Sequence, residues 1–278
     1  MEIDLVDCPN CIWIASDDSI FQWQPQGKAT FNPRGIFDLT YESMAIAQVK
    51  HQEDTILNTY IVQDFQNQDF KYWNGGNWQA LSVPYIDDVI GFGGYGPHLY
   101  LRAAPSIGDS RLYYYNGDTL KLIQSKSSAV GADIAVDSLG RAWYPSGTPF
   151  TKVNYFHMID STGQILKTYP INESFGDRNL YGMAIVKDTI YIGVGPNAPV
   201  HPSSILSFVI KGDSALLKNV IPQAQGYVYY SDLASCKPGV PNRVQERPEV
   251  ESKIQRHLNF PQPNERNFQY RYQNFRAN

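Results

Sequence analysis

The feature that most constrains the fold of this chain is an internal repeat. Four short, apolar, strand-like segments joined by Gly-containing turns recur about five times, at a spacing of roughly 40–50 residues. The clearest copy runs from Gly131 to Tyr169, with turns at residues 138–140 and 160–163 that suit β-hairpins. One copy cannot bury its own apolar face, so neighbouring copies must pack on each other.

Three further copies show the same order of segments. They begin near Ile36, Asp88 and Leu180, and the copy at Ile36 carries an insertion around residues 48–68. The Gly-rich run Gly91–Gly96 is not followed by a helix pattern, so we predict a loop or a bulge there. Each copy is predicted to form a four-stranded antiparallel sheet.

The two ends of the repeat region together supply one more copy. Residues 12–31 hold only the later strands, and the missing first strand appears at the far end as Tyr229–Ser235. A ring closed in this way leaves no open sheet edge. The chain is therefore predicted to be all-β, a five-bladed β-propeller closed by N- and C-terminal strands, with an extended C-terminal tail. If residues 2–7 form a first strand of their own, the closure is looser or the propeller is six-bladed instead.

The composition changes abruptly after Cys236. Residues 237–278 contain several prolines, eight basic side chains and four acidic ones, so this segment has a net charge of +4. The whole chain has a net charge of −4, which leaves −8 on residues 1–236. Polar, Pro-rich sequence is typical of linkers. We predict a propeller over 1–236 and a linker with an extended docking tail over 237–278. The acidic body argues against nucleic-acid binding, and no apolar run approaches the roughly 20 residues of a membrane span.

The tail ends in an alternating strand pattern that belongs to none of the repeat copies. In the segment 267–275, Phe268, Tyr270 and Tyr272 alternate with polar residues that include Arg271. Phe275 ends the segment. A lone amphipathic strand cannot bury its apolar face, so we expect it to add to a sheet edge. That edge could belong to its own body or to a partner.

The three cysteines suggest a structural role. Cys8 and Cys11 form a C-x-x-C motif that leads into a strand rather than the helix of a redox motif, and the ligands of a zinc site are missing. Cys236 ends the first strand of the shared copy, and Cys11 begins its second strand. We predict a disulfide from Cys236 to Cys11 or Cys8, with a local Cys8–Cys11 bridge or free thiols as alternatives. A disulfide indicates an oxidising compartment.

Aspartates near the start of the first strands are the candidate channel groups. They are Asp38, Asp88, Asp133 and Asp232. The first strands of a propeller line its channel, so these carboxylates could form a ring that holds Ca²⁺. Equally, each could accept hydrogen bonds from the neighbouring blade, and recurrence at equivalent positions favours this structural role. No Glu joins them as a glycosidase pair would require, and the five histidines lack metal-ligand spacing. We predict no catalytic residues, no metal and no cofactor.

Two tryptophans are the candidate ligand-binding aromatics. Trp73 and Trp78 flank the Asn74-Gly-Gly turn, and Tyr113–Tyr115 run consecutively. Outward-facing aromatic rings can stack on sugars or anchor a protein partner. The alternative, which we favour, is that they pack between neighbouring blades.

Several phrases resemble a known group of proteins. GADIAVDSLGRAWYPSG, NLYGMAIVKDTIYIGVG and YYSDLASC resemble propeller domains of exported surface proteins of gliding-type bacteria, which often carry type 9 secretion sorting domains. The resemblance covers residues 3–236. It implies an extracellular or cell-surface, adhesin-like or assembly role, with no catalytic residues to transfer. Neither a sorting domain nor a signal peptide is visible in this chain.

We therefore expect a non-catalytic extracellular module that binds protein within a bacterial surface assembly, its C-terminal strand docking to a partner. The alternative is a carbohydrate-binding propeller that uses Trp73 and Trp78. A propeller hydrolase or lactonase is less well supported by the residues. Neither nucleic-acid binding nor direct membrane insertion is expected.

Overall fold

All helices and strands assigned in the described part of the chain are of one kind, the β-strand. The computed structural model describes residues 11–16, 19–23, 25, 32–36, 41–52, 55–64, 69–74, 77–106, 109–127, 129, 133–148, 152–175, 180–195, 204–222 and 232–235. The strands are β1 (Ile12–Ser16), β2 (Ser19–Trp23), β3 (Asn32–Ile36), β4 (Tyr41–Gln52), β5 (Thr55–Asp64), β6 (Phe70–Trp73), β7 (Trp78–Ala80), β8 (Val89–Tyr95), β9 (His98–Ser106), β10 (Asp109–Tyr115), β11 (Leu120–Gln124), β12 (Ala135–Val136), β13 (Ala142–Thr148), β14 (Lys152–Ile159), β15 (Ile165–Phe175), β16 (Leu180–Val186), β17 (Thr189–Val194), β18 (Ser204–Lys211), β19 (Ser214–Pro222) and β20 (Asp232–Ser235). Within these residues there is no helix suited to crossing a membrane.

The described strands form antiparallel meanders of four. Meander 1 is β20-β1-β2-β3, meander 2 is β4–β7, meander 3 is β8–β11, meander 4 is β12–β15 and meander 5 is β16–β19. Their first strands contact one another in a closed order, since β20 contacts β16 and β4, β4 contacts β8, and β12 contacts β8 and β16. This arrangement confirms the all-β, propeller-type fold. Residues 1–10 and 236–278 lie outside the described part, so the blade count of the whole chain stays a prediction.

Both ends of the described chain contribute to meander 1. Strand β20 pairs antiparallel with β1, with Leu233 opposite Ile14 and Ser235 opposite Ile12. The predicted head-to-tail closure is therefore confirmed. Contacts divide the chain into two units, Met1–Asn242 and Arg243–Asn278, and all described residues belong to the first. The predicted boundary at residue 236 stays a prediction.

A cluster of buried side chains lies between each pair of neighbouring meanders in the described part. Trp13 of meander 1 packs edge-to-face on Tyr60 of meander 2, with ring centroids 5.2 Å apart. On the other side of meander 1, Trp23 packs on Tyr191 of meander 5 at 5.6 Å. Aromatic pairs of this geometry add attraction beyond the area that they bury. The aromatic enrichment of the sequence thus serves the contacts between meanders.

The Gly-rich run predicted as a loop or bulge forms most of the inner strand β8. A Cβ atom on Gly93 would overlap the carbonyl oxygen of Ile134, and one on Gly94 would lie 2.8 Å from the Cβ of Ala47. These positions therefore need glycine because strands on both sides approach closely. The predicted loop was wrong, because close packing and not a turn requires these glycines. The register of β8 against β9 shifts between Val89 and Gly91, however, which is the irregularity of a bulge where the run begins.

The insertion predicted around residues 48–68 lengthens a hairpin. Strands β4 and β5 pair from Tyr41 opposite Asp64 to Gln52 opposite Thr55, whereas β6 pairs only with residues 61–63 of β5. Residues 48–52 and 55–58 therefore continue as a two-stranded ribbon, here named the β4–β5 ribbon. The Gln48 N–H donates to the Gly96 carbonyl oxygen of meander 3 at 2.6 Å, which holds the ribbon against its neighbour.

The outer edges of meanders 4 and 5 are joined. Ile171 of β15 pairs in parallel with Ala215 of β19, which merges the two meanders into one eight-stranded sheet. The Lys167 Nζ lies 2.7 Å from a carboxylate oxygen of Asp213 across the same junction. Because this ion pair is exposed, the shared backbone pairing is the more substantial link.

Candidate functional site

A cavity of about 320 Å³ lies between meanders 2 and 3. Its floor is formed by Ala47, Val49, Ile61 and Leu99, each no more than 4% exposed. The volume is at the lower end of the roughly 300–1,000 Å³ range of ligand pockets. We name this site the inter-meander cavity. It combines an apolar, buried floor with an opening to solvent.

The rim of the inter-meander cavity is largely exposed and includes polar side chains. The β4–β5 ribbon contributes the half-buried Gln48 and the exposed Lys50, and the exposed residues Ser82, Pro97 and Gly117 complete the rim. Lys50 is the charged side chain among the described lining residues, and it is exposed. Asp118 follows Gly117 in the turn between β10 and β11. The exposed rim therefore carries a positive charge at Lys50, and a negative charge at Asp118 lies next in sequence to Gly117.

Tyr115 holds one wall of the cavity in place. Its hydroxyl group lies 2.6 Å from the carbonyl oxygen of Gly117 and 3.0 Å from that of Ser82, so its single proton is shared between the two acceptors. Burial, and to a smaller extent the charge of Asp118, raises the pKa of Tyr115, so its phenol stays protonated as a donor. The segment after β7 is thereby tied to the β10–β11 turn. A wall fixed by hydrogen bonds is organised before any ligand arrives.

The inner strands meet in a closed, apolar contact. Residues from all five inner strands line one narrow space, among them Met44, Gly93, Ala135, Met183 and Leu233. This space leaves no room for a water-sized sphere. Glycine and small or apolar side chains thus fill the part of the ring where these strands converge.

Asp133 is the predicted channel carboxylate whose contacts are described. It is 2% exposed, and its Oδ2 accepts a hydrogen bond from the Met183 backbone N–H on β16 of the neighbouring meander. This contact supports the structural interpretation of the recurring aspartates. Asp88 does not share this position, since it lies exposed in a turn before β8 with φ of +50°.

The other two predicted channel residues are placed only in part. Asp38 lies outside the described residues. The backbone of Asp232 pairs with Ala15 at the end of β20, and its side chain lies outside the described part. Within that part, no group of three His, Cys, Asp or Glu residues is arranged to hold a metal ion.

Removing the Asp133 carboxylate is expected to weaken the link between meanders 4 and 5. An Asp133→Ala variant leaves the buried Met183 N–H without this acceptor, which should lower the free energy of unfolding by about 2 kcal/mol. An Asp133→Asn variant keeps an acceptor oxygen and should lose less. Urea denaturation followed by circular dichroism measures both. An Asp133→Ala midpoint equal to that of the wild type would contradict this role.

The candidate ligand aromatics are engaged in packing. Trp73 and Trp78 are half-buried, lie edge-to-face with ring centroids 5.4 Å apart, and pack on the cluster between meanders 1 and 2. Tyr113 and Tyr115 join the cluster between meanders 2 and 3, whereas Tyr114 joins the cluster between meanders 3 and 4. These contacts agree with the packing alternative.

The predicted disulfide and tail residues are described in part. Cys11 is buried where β1 begins, and Gln22 Nε2 donates to its Sγ at 3.1 Å. Cys8 and Cys236 lie outside the described residues. So do the predicted partner-binding residues, which are Phe268, Tyr270, Arg271, Tyr272 and Phe275. The disulfide and the docking strand therefore stay predictions.

The sequence reasoning missed the inter-meander cavity. Its principal residues, Lys50, Tyr72 and Tyr115, come from three different strands. The insertion after Ala47 was the available signal, because it departs from the repeat. Its position beside Gly96 and Pro97 depends on contacts between meanders, which the repeat pattern alone does not contain.

Comparison with known proteins adds little to this geometry. No family model matches the chain, and no curated protein matches it. One solved structure with some likeness is YCF48 bound to D1 peptide, with 11% sequence identity, a TM-score of 0.37 and coverage of 77% of this chain. The chain spans 64% of the length of that protein chain. At this TM-score the likeness carries no argument, so the function must be argued from the site itself.

Proposed function

We propose that this chain is a non-catalytic protein-binding module of an extracellular bacterial surface assembly. The inter-meander cavity is the observation that carries the proposal. A buried apolar floor inside a polar, exposed rim is the anatomy of a hot-spot pocket at a protein interface. The floor residues Ala47, Val49, Ile61 and Leu99 stand on paired strands, and strands position a binding site more rigidly than loops do.

The C-terminal tail supplies the second contact in this proposal. Phe268, Tyr270 and Tyr272 alternate with polar residues in a segment that belongs to none of the repeat copies. Such a strand gains most by adding to the sheet edge of a partner, where its backbone pairs and its aromatic rings fill pockets. Because the tail is basic, the proposed partner has an acidic docking edge.

The proposal includes a disulfide between Cys11 and Cys236. Because Ile12 lies opposite Ser235, the next pair along this antiparallel register would place Cys11 opposite Cys236. Opposed residues in antiparallel sheets have Cα atoms about 4.5–5.5 Å apart, within the range of about 4.4–6.8 Å that a disulfide spans. A disulfide and the resemblance to exported propeller domains both support an extracellular location. A Cys8–Cys11 bridge is the alternative pairing.

Two observations support a binding rather than a catalytic role. The buried carboxylate of Asp133 is engaged by the Met183 backbone, and apolar residues fill the convergence of the inner strands. Glycan binding through Trp73 and Trp78 is less well supported, because both rings are half-buried in packing. Glycan-array binding that a Trp78→Ala variant abolishes would favour that alternative.

Deleting residues 260–278 is expected to abolish assembly while the ring stays folded. The deletion removes the aromatic strand, so the fraction of the chain that elutes in a high-mass complex should fall at least about tenfold. Size-exclusion chromatography of solubilised cell envelopes measures that fraction. An unchanged urea midpoint would show that the ring is intact.

Substitutions within the tail provide a matched control. Replacing Phe268, Tyr270 and Tyr272 by serine should reproduce the deletion, because these residues share one face of the strand. Replacing Gln269 and Gln273 by alanine changes the opposite face and should leave assembly intact. A complex that survives both the deletion and the aromatic substitutions would overturn the proposed role of the tail.

A further inference from the structure

We propose that the inter-meander cavity binds an extended acidic peptide segment of a protein partner. One apolar or aromatic side chain of the segment enters the cavity, and a neighbouring carboxylate lies against Lys50. This proposal deepens the proposed function and rests on the ring being a protein-binding module. Three features of the site support it.

The first feature is the fit of the cavity to a single large side chain. The volume of about 320 Å³ is closed below by apolar residues and flanked by the buried rings of Tyr72 and Tyr115. An aromatic side chain buries roughly 150–250 Å² when it is fully enclosed, which is the usual source of affinity at interface anchors. Because Tyr115 is held by Ser82 and Gly117, the cavity needs little rearrangement to accept such a ring.

The second feature is charge. Lys50 is an exposed lining residue, and the exposed Asp118 follows the lining residue Gly117. In this proposal Lys50 attracts an acidic residue beside the anchor and Asp118 repels one near Gly117, which favours one direction of the peptide. Charges at the rim of an interface mainly set selectivity and the rate of association.

The third feature is the backbone of β4 beyond the ring. The Gln48 N–H points away from β5 and donates to Gly96. Residues two apart in a strand direct their backbone groups to the same side, so the N–H and carbonyl groups of Lys50 face the same way. An extended peptide can pair with such an edge while its side chain fills the cavity.

The experiment uses a random-peptide phage library panned against the full chain. The enriched peptides are synthesised with a fluorescent label, and their Kd values are measured by fluorescence anisotropy. We expect the enriched sequences to share a large apolar or aromatic residue next to Asp or Glu. A library that yields no enriched sequence, or sequences without this pair, would overturn the proposal.

A variant that fills the cavity from its rim tests the position of the anchor. Ala80 is exposed and lines the cavity, so an Ala80→Trp variant should raise the Kd of these peptides at least about tenfold without unfolding the ring. If Ala80→Trp lowers the urea midpoint, a Ser82→Trp variant at another exposed rim position replaces it. Val220→Trp, on the exposed face of β19, is the control and should bind normally. Normal binding by both rim variants would overturn the proposed position.

Charge variants test the carboxylate contact. Lys50→Glu should raise the Kd of acidic peptides about tenfold, whereas the matched control Lys126→Glu, also exposed, should change it by no more than about twofold. Asp118→Asn removes the repulsive charge and should not weaken binding. Equal effects of the two lysine variants would remove Lys50 from the proposal.

The failure of this inference and of the proposed function can be told apart. A chain lacking residues 260–278 keeps the cavity, so its peptide binding should equal that of the full chain. If the peptides bind and assembly survives the tail deletion, the cavity keeps its proposed role and the tail loses its own. Assembly lost on deletion, with no peptide bound, would reject the cavity as a binding site and retain a protein-binding module that acts through its tail.

Discussion

Replacing Gly93 by alanine is expected to lower the free energy of unfolding by about 3 kcal/mol or more, the upper range for an added methyl group in a packed core. The new Cβ would overlap the carbonyl oxygen of Ile134. That oxygen belongs to the backbone, so relief requires the neighbouring inner strand to move. Asp133, one residue earlier, is held to Met183 on the far side, and this link resists the movement.

Urea denaturation followed by tryptophan fluorescence measures this loss. Gly212→Ala is the matched control, because Gly212 has a positive φ of 62° but no atom within 4 Å of the added Cβ. The control variant should lose only about 1 kcal/mol of the free energy of unfolding, because backbone strain is its only cost. A Gly93→Ala variant as stable as the control would contradict the close approach of the inner strands.

Replacing Cys236 by serine is expected to destabilise the oxidised protein by about 5 kcal/mol. A bond from Cys236 to Cys11 would close a loop containing nearly the whole ring, and the chain-entropy model assigns a stabilisation of this size to such long loops. The bond would also fasten β20 to β1, where the ring is closed by pairing between residues from opposite ends of the chain. Opening at this place separates meander 1 from its own first strand.

Redox state and the third cysteine provide the controls for this prediction. Wild-type protein in reductant should match Cys236→Ser in its urea midpoint, and Cys8→Ser should leave the oxidised protein unchanged. Loss of stability in Cys8→Ser but not in Cys236→Ser would assign the bridge to Cys8 and Cys11. A wild-type midpoint insensitive to reductant would show that there is no stabilising disulfide.

The repeat and its closure could be predicted from the sequence because both depend on local patterns. Alternating apolar residues and Gly-containing turns identify each strand without knowledge of its neighbours. The same pattern around Leu233 matched the first strands of other copies, and its pairing with the segment around Ile14 followed from the incomplete copy at the beginning of the chain.

Features that depend on contacts between meanders could not be predicted. The Gly91–Gly96 run was predicted to be a loop or a bulge because no helix pattern follows it, whereas Gly93 and Gly94 are required by the strands that pack closely on either side. Asp88 was aligned with Asp133 by its sequence neighbours, yet β8 runs on to Tyr95 and leaves Asp88 in the preceding turn. The close approach of two segments distant in the chain has no local signature.

The candidate site also depends on contacts between meanders that the local sequence does not predict. The sequence marked the insertion after Ala47 but not its structure as a ribbon beside Gly96. The consecutive tyrosines were noted for their aromatic character, and only the packing shows that Tyr115 closes a wall by bonding to Ser82. The polar rim and the apolar floor come from segments that are unremarkable when each is considered alone.

The joined edge of meanders 4 and 5 bears on how such a ring can evolve. Chains built from similar copies can gain or lose a copy by recombination between them. A copy whose outer strand stands apart from the next can be exchanged as an independent module. Ile171 and Ala215 pair across a boundary between copies, so recombination at this boundary would have to break a backbone pairing. Exchange of either meander alone would therefore remove one partner of a backbone pairing that the two meanders share.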